Sequence, residues 1–250
     1  MIGASSGIGK ATAELLDKMG YSVGIASRNV DRLNTIKEKF KQPSYVAQID
    51  ITEEYRVIEE KLATLFKEMQ SVDHVILTSG GLTELMRNSA VDKEPRWQTD
   101  LKDIDLNLSG CLKVMYAVKT LFDEQKKGHL IVTTSIGDSR GNFHILGYGA
   151  AKCGISFAVE SFDQEFRTQK SNLKYSEVVV GIIISNEKIT GAVQRFFVKS
   201  FEHCANDLVR IMLTKEKKSF SPRHWSYLTE IVKMLPNSVY DAIANSQKPF

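Results

Sequence analysis

Short runs of branched and leucine side chains, Val75-Ile76-Leu77, Leu130-Ile131-Val132 and Val178-Val179-Val180, recur along this chain with helical stretches between them. A strand that is apolar on both faces needs cover on both. Strands alternating with helices provide it by laying parallel strands side by side with helices above and below. The chain therefore reads as an α/β protein, a doubly wound parallel sheet in a single domain. Strands are expected at 21–27, 44–49, 74–78, 129–134 and 177–184. Helices are expected at 10–18, 31–40, 54–69, 103–125, 150–167, 201–213 and 225–235.

At 250 residues and 42% hydrophobic content, the chain can bury one substantial core. Its 33 basic and 30 acidic residues leave a net charge of +3, too even for a nucleic-acid binder. Three cysteines, Cys111, Cys153 and Cys204, form neither a zinc spacing nor an even set for disulfides. Reduced thiols and no metal are the expectation. No run reaches the roughly 18 apolar residues of a membrane span, and no signal peptide precedes the glycine-rich opening. The chain as it stands reads as cytoplasmic.

That opening is Gly3-Ala4-Ser5-Ser6-Gly7-Ile8-Gly9, running into the first helix. Glycines let a ligand approach the main chain closely, and the N–H groups at a helix start favour phosphate. Gly3, Ser5, Ser6, Gly7, Ile8 and Gly9 are thus candidate pyrophosphate contacts. A glycine cluster alone is a weak motif, but the helix and strand behind it suggest a Rossmann-like dinucleotide site. An NAD site usually places a carboxylate about 20 residues on. Here the second strand ends in Ala26-Ser27-Arg28-Asn29, and the forked cation of Arg28 suits a 2′-phosphate. NADP is the expected cofactor, with NAD the second choice. Asp50 either accepts a hydrogen bond from the adenine amino group or caps the helix that follows Thr52.

Tyr148 and Lys152 stand four apart, a spacing that stacks both side chains on one helix face. An ammonium beside a phenol favours its phenolate form, which suits proton transfer. With the glycine loop, Asp50-Ile51, Asn107 in Asp105-Leu106-Asn107-Leu108, and Ser135, these residues in this order resemble the short-chain dehydrogenase/reductase family over nearly the whole chain. The resemblance implies hydride transfer between a nicotinamide nucleotide and a carbonyl or alcohol. Tyr148 would be the acid in reduction and the base in oxidation, and Lys152 would hold the nicotinamide ribose. Ser135 would orient the substrate oxygen, and Asn107 would anchor a water linking Lys152 to solvent. Asp50 and Ile51 would join the cofactor site. The tail, with Trp225 and Leu235-Pro236, is similar to the hydroxysteroid 11-beta-dehydrogenase branch, which implies lipid metabolism and membrane association.

Three departures stand against this pattern. Leu77-Thr78-Ser79-Gly80 replaces the usual Asn-Asn-Ala-Gly. Ile183-Ile184-Ser185-Asn186 replaces a Pro-Gly turn, leaving Ile184 and Lys188 as approximate counterparts of the carboxamide contact. Only Met1 and Ile2 precede Gly3, where the family has a full central strand. The expectation is a truncated N-terminal strand, from a shortened product or a late start, with ladder groups left unpaired at about 1–3 kcal/mol each.

Residues 1–186 read as the nucleotide-binding and catalytic part, and 187–250 as a substrate lid and C-terminal helical segment of the same domain. Phe143, Ile145, Leu146, Phe196 and Phe197 suggest an apolar pocket, hence a small lipophilic carbonyl or alcohol substrate. The alternative is a non-catalytic member that binds nucleotide or a partner. Trp225, Leu228, Ile231, Val232 and Leu235 form a helical stripe that packs on the domain or a second subunit, with peripheral membrane contact as the minority reading. The resemblance also implies a homodimer through the two long helices, and an endoplasmic reticulum membrane location should an upstream anchor exist.

Overall fold

The structure, a computed structural model, describes residues 1–81, 95–188 and 192–246. Helix α1 (Gly7–Lys18) leads to strand β1 (Val23–Ser27), α2 (Val30–Lys37), β2 (Ser44–Gln48), α3 (Tyr55–Met69) and β3 (His74–Leu77). After α4 (Arg96–Ile104) and α5 (Gly110–Gln125) come β4 (Gly128–Ser135), α6 (Leu146–Gln169) and β5 (Leu173–Val180). The remainder is β6 (Ile182–Ile184), α7 (Ala192–Phe197), β7 (Val198–Ser200), α8 (Phe201–Thr214), β8 (Lys218–Ser221), α9 (Trp225–Met234) and α10 (Asn237–Ser246). Every strand pairing is parallel: β1 with β2, β3-β4-β5-β8 in that order, and β6 with β7.

The apolar runs behave as doubly buried strands. Val75, Leu77, Leu130 and Val132 enter the core beneath α3, α5 and α6, while Ile76, Ile131 and Val178 enter the core on the other face with α1, α2 and α8. Alternate residues of one strand thus feed two cores, as the two-residue strand period requires.

The expected truncated first strand is corrected. Met1 and Ile2 occupy the position between β1 and β3, where Ile2 bridges Ala26 on one side and Leu77 on the other. Ile2 N–H donates to the Ile76 carbonyl (2.9 Å), and its own carbonyl accepts from Thr78 N–H (2.9 Å). Ala26 N–H donates to the Met1 carbonyl at 2.9 Å, and the Met1 amino group donates to the Gly24 carbonyl at 2.7 Å. These bonds satisfy the ladder groups that a gap would orphan. Ile2 is 2% exposed, a burial contributing about 1.5–3 kcal/mol.

Two other boundaries differ from expectation. The long helix at 103–125 is broken by a π-helical turn, Asp105–Ser109, between α4 and α5. The strand at 177–184 divides at Gly181 into β5 and β6, and the Trp225 indole packs on that glycine, where a Cβ would meet it at 2.5 Å.

Membrane association is also corrected. Among the described residues, no helix is long and apolar enough to cross a membrane. The stripe on α9, expected to pack on the domain or a second subunit with peripheral membrane contact as the minority reading, faces the domain: Trp225, Leu228, Val232 and Leu235 are half-buried, and Ile231 is exposed.

Candidate active site

In a parallel sheet all carboxyl ends share one edge, and that edge is where ligands of open α/β sheets bind. The glycine loop follows Ile2, Arg28 follows β1, Asp50 lies just beyond β2, Gly80 beyond β3, and Ser135 ends β4.

The loop is shaped by close backbone approach. A Cβ on Gly9 would lie 2.1 Å from the Gly3 carbonyl oxygen, and one on Gly3 would lie 2.7 Å from Ser79 N. Gly7 has φ +54, a conformation that suits glycine. Ser6 is the N-cap of α1 but makes no side-chain cap bond, and the first turn carries no acidic residue. That helix start keeps its positive end for an anion. Ser5, Ser6, Gly7, Lys10 and Arg32 line a cleft of about 450 Å³ beside it. A cradle closed to side chains, at a helix start with no acidic residue in its first turn, fits the pyrophosphate of a dinucleotide.

Of the remaining cofactor candidates, Arg28 is exposed at the mouth of β1. Asp50 Oδ1 accepts from Thr52 N–H (3.0 Å) and Thr52 Oγ1 (2.8 Å), an Asx turn rather than a helix cap, since Glu54 caps α3. Ile51 is core: it is 4% exposed, and Gly110 leaves room for its carbonyl, which a Cβ there would approach to 2.7 Å.

The four polar candidates converge. Lys152, 4% exposed, donates from Nζ to the Thr133 carbonyl at 3.2 Å, and Nζ lies 5.7 Å from the Tyr148 ring centroid. Two glycines mark the spaces between partners. A Cβ on Gly80 would lie 2.5 Å from Asn107 Oδ1 and 3.5 Å from Lys152 Nζ; one on Gly137 would lie 3.4 Å from Ser135 Oγ and 3.6 Å from Tyr148 Cε1. Asn107 is fully buried: its Oδ1 accepts from Gly81 N–H (2.8 Å), and its Nδ2 donates to the carbonyls of Gly81 (2.9 Å) and Asp103 (3.0 Å). It sits inside the π-helical turn, whose loosened ladder is a common accommodation at functional sites. Gly147 lets α6 start against α4, donating its N–H to Asp100 Oδ1 at 2.9 Å and thereby setting the turn that carries Tyr148.

Sequence reasoning passed over Asp138, three residues beyond Ser135. Burial, and then the negative charge of Glu177, push its carboxyl up to about 6. Glu177 lies on β5, far away in sequence, so no local signal announces the pair.

The comparisons give the family and the fold. The profile described as short chain dehydrogenase matches residues 1–188. An uncharacterized oxidoreductase of Listeria monocytogenes is 34% identical over 178 residues, covering 69% of this chain and 68% of the relative. Among solved structures, an alcohol dehydrogenase of Thermococcus sibiricus complexed with 5-hydroxy-NADP superposes with a TM-score of 0.69 at 21% identity, over 88% of this chain and 93% of that one. A 7beta-hydroxysteroid dehydrogenase gives 0.72 at 18% identity, over 98% and 95%. The steroid enzyme stands no closer in sequence than the alcohol dehydrogenase, so the expected hydroxysteroid branch is not singled out. The chain belongs to the short-chain dehydrogenase family and is an oxidoreductase acting on CH–OH groups with NAD(P).

Proposed function

We propose that the protein interconverts a carbonyl and a secondary alcohol on a small lipophilic molecule, with NADP(H) preferred. The observation that carries the reaction is the convergence of Ser135, Tyr148, Lys152 and Asn107 at the carboxyl edge of the sheet. When bound, the nicotinamide nucleotide supplies or accepts the hydride. The loop from Gly3 to Gly9 holds its pyrophosphate, and Arg28 holds a 2′-phosphate through charge-assisted hydrogen bonds. Ser135 Oγ donates to the substrate oxygen and fixes its direction. Tyr148 Oη gives its proton to that oxygen in reduction and takes it back in oxidation. Lys152 keeps positive charge beside the phenol, and Asn107 holds the turn through which the lysine is resupplied with protons. The exposed rings of Phe143, Phe196 and Phe197 and the exposed Leu146 favour an apolar substrate. Residues 182–188 and 192–200 and the α9–α10 pair act as the substrate side of the same domain.

The test is consumption of NADPH and NADH by the wild-type chain and Arg28→Ala, with 4-nitrobenzaldehyde and cyclohexanone as probes. NADPH is expected to be preferred. Arg28→Ala is expected to raise the NADPH KM about tenfold or more, the loss of a charged hydrogen bond, and to leave NADH unaffected. Equal effects on both nucleotides contradict the assignment of Arg28.

A further inference from the structure

We propose that Arg140 is a positioning residue: it latches α9 and α10 to the loop that carries Ser135, so that α9 straps together the two walls of the substrate cleft. The inference rests on the reading above of an apolar pocket, and takes the loop 136–147, with Phe143 and Leu146, as one wall and residues 182–188 and 192–200, with Phe196 and Phe197, as the other.

Arg140 belongs to the first wall, yet its guanidinium is spent on the far end of the chain. Nη1 donates to the carbonyls of Val232 (2.8 Å) and Leu235 (2.6 Å), at the carboxyl end of α9 where the helix dipole places negative charge. Nη2 donates to Asn237 Oδ1 at 2.7 Å, at the start of α10. The guanidinium carbon lies 4.2 Å from the Tyr240 ring centroid, and the Tyr240 hydroxyl donates back to the Arg140 carbonyl at 3.4 Å. Five contacts from one side chain and its backbone join segments about a hundred residues apart. Only a planar fork can serve two carbonyls, an amide and a ring at once.

The other end of α9 is fastened to the second wall. Trp225 Nε1 donates to the Phe197 carbonyl at 3.2 Å, and its indole fills the space that Gly181 leaves open. His224 stacks on Phe196 with ring centroids 4.6 Å apart. A ten-residue helix, about 15 Å long, is thus tied at its start to Gly181, Phe196 and Phe197 and at its end to the loop after Ser135. Its length spaces those two points of attachment. Freed at Arg140, the walls can separate, and the substrate is held less firmly while Ser135, Tyr148 and Lys152 keep their own supports.

The test uses the full chain with NADPH and the probes 4-nitrobenzaldehyde and cyclohexanone, comparing wild type, Arg140→Ala, Arg140→Lys, Tyr240→Leu and the Arg140→Ala/Tyr240→Leu double variant. Arg140→Ala is expected to raise the KM for the carbonyl about tenfold, with kcat and the NADPH KM little changed. Arg140→Lys is expected to recover part of the loss, and Tyr240→Leu to add nothing once Arg140 is gone. An unchanged KM in Arg140→Ala, or a loss of kcat that merely follows a lowered melting temperature, overturns the latch. Where Arg140→Ala does not fold, Asn237→Ala and Tyr240→Leu remove its partners singly and must each raise the KM. Should wild type reduce neither probe, the functional reading fails on its own and the latch is read by hydrogen exchange. Faster exchange at 182–188 in Arg140→Ala supports it, because Arg140 does not touch that wall; unchanged exchange there overturns it.

Discussion

The two edges of the sheet treat buried polar groups in opposite ways. At the amino-terminal edge, His74 and His129 meet through their Nδ1 atoms at 3.2 Å, His129 Nε2 meets Ser176 Oγ at 2.8 Å, and Ser176 Oγ donates to the Glu216 carbonyl at 2.6 Å. The serine proton is committed to a carbonyl, so His129 Nε2–H must donate to the serine. His129 Nδ1 is then the acceptor, and His74 Nδ1–H the donor. The two Nδ1 atoms, His129 Nε2 and Ser176 Oγ are each answered by another group within the chain, and the line ends in backbone. At the carboxyl-terminal edge, Lys152 and Asn107 are anchored through backbone carbonyls and N–H groups, while Ser135 and Tyr148 border a space kept open by Gly137. A polar chain that closes on itself stabilises the fold; one braced by the backbone with its reactive atoms facing a gap serves chemistry.

Matched serines sharpen the contrast. Ser135→Ala is expected to lower turnover by about 10²–10³-fold, the usual cost of one donor to a developing oxyanion, with little change in melting. Ser176→Ala is expected to leave turnover intact and to cost about 1–3 kcal/mol of stability, since His129 Nε2–H and the Glu216 carbonyl lose their partner. The pair is read by NADPH consumption and urea melts; a Ser176 variant that loses turnover without losing stability would break the contrast.

A smaller effect tests the direction of the histidine line. Burial, followed by the charge of a protonated His74, lowers His129 to about 3, and burial lowers His74 as well. Between pH 6.5 and 3 the unfolded chain takes up protons that the folded chain refuses. Stability is therefore full above pH 6.5 and falls as the pH drops toward 3, by up to about 1.4 kcal/mol per pH unit for each unmatched proton. Urea melts across this range are expected to lose that slope in His129→Gln. A wild-type protein that gains stability on acidification contradicts the neutral pair.

What could be read along the chain and what could not follow from the range of each interaction. The strands, the glycine loop and the Tyr148–Lys152 pair are written in neighbours one to six residues apart, so pattern alone finds them. The bonds of Asn107 in the π-helical turn reach Gly81, 26 residues away, and Gly181 meets Trp225 from a distant helix. The role of Met1 and Ile2 was misjudged because strand length was taken as the measure of pairing. Two residues make the ladder bonds at the loop end of the sheet, where the nucleotide loop must be held. The apolar stripe of α9 leaves packing and membrane contact both open in the sequence because nothing local reveals that Gly181 and Arg140 claim its two ends.

The most direct test of the central claim compares wild type with Tyr148→Phe, titrating NADPH by nucleotide fluorescence and then following its consumption on adding 4-nitrobenzaldehyde. Loss of one hydroxyl is expected to leave the NADPH affinity within a few-fold and to cut turnover by about 10²–10⁴-fold, the range for a positioned proton donor. Turnover that survives the substitution would contradict the assignment of Tyr148 as the acid.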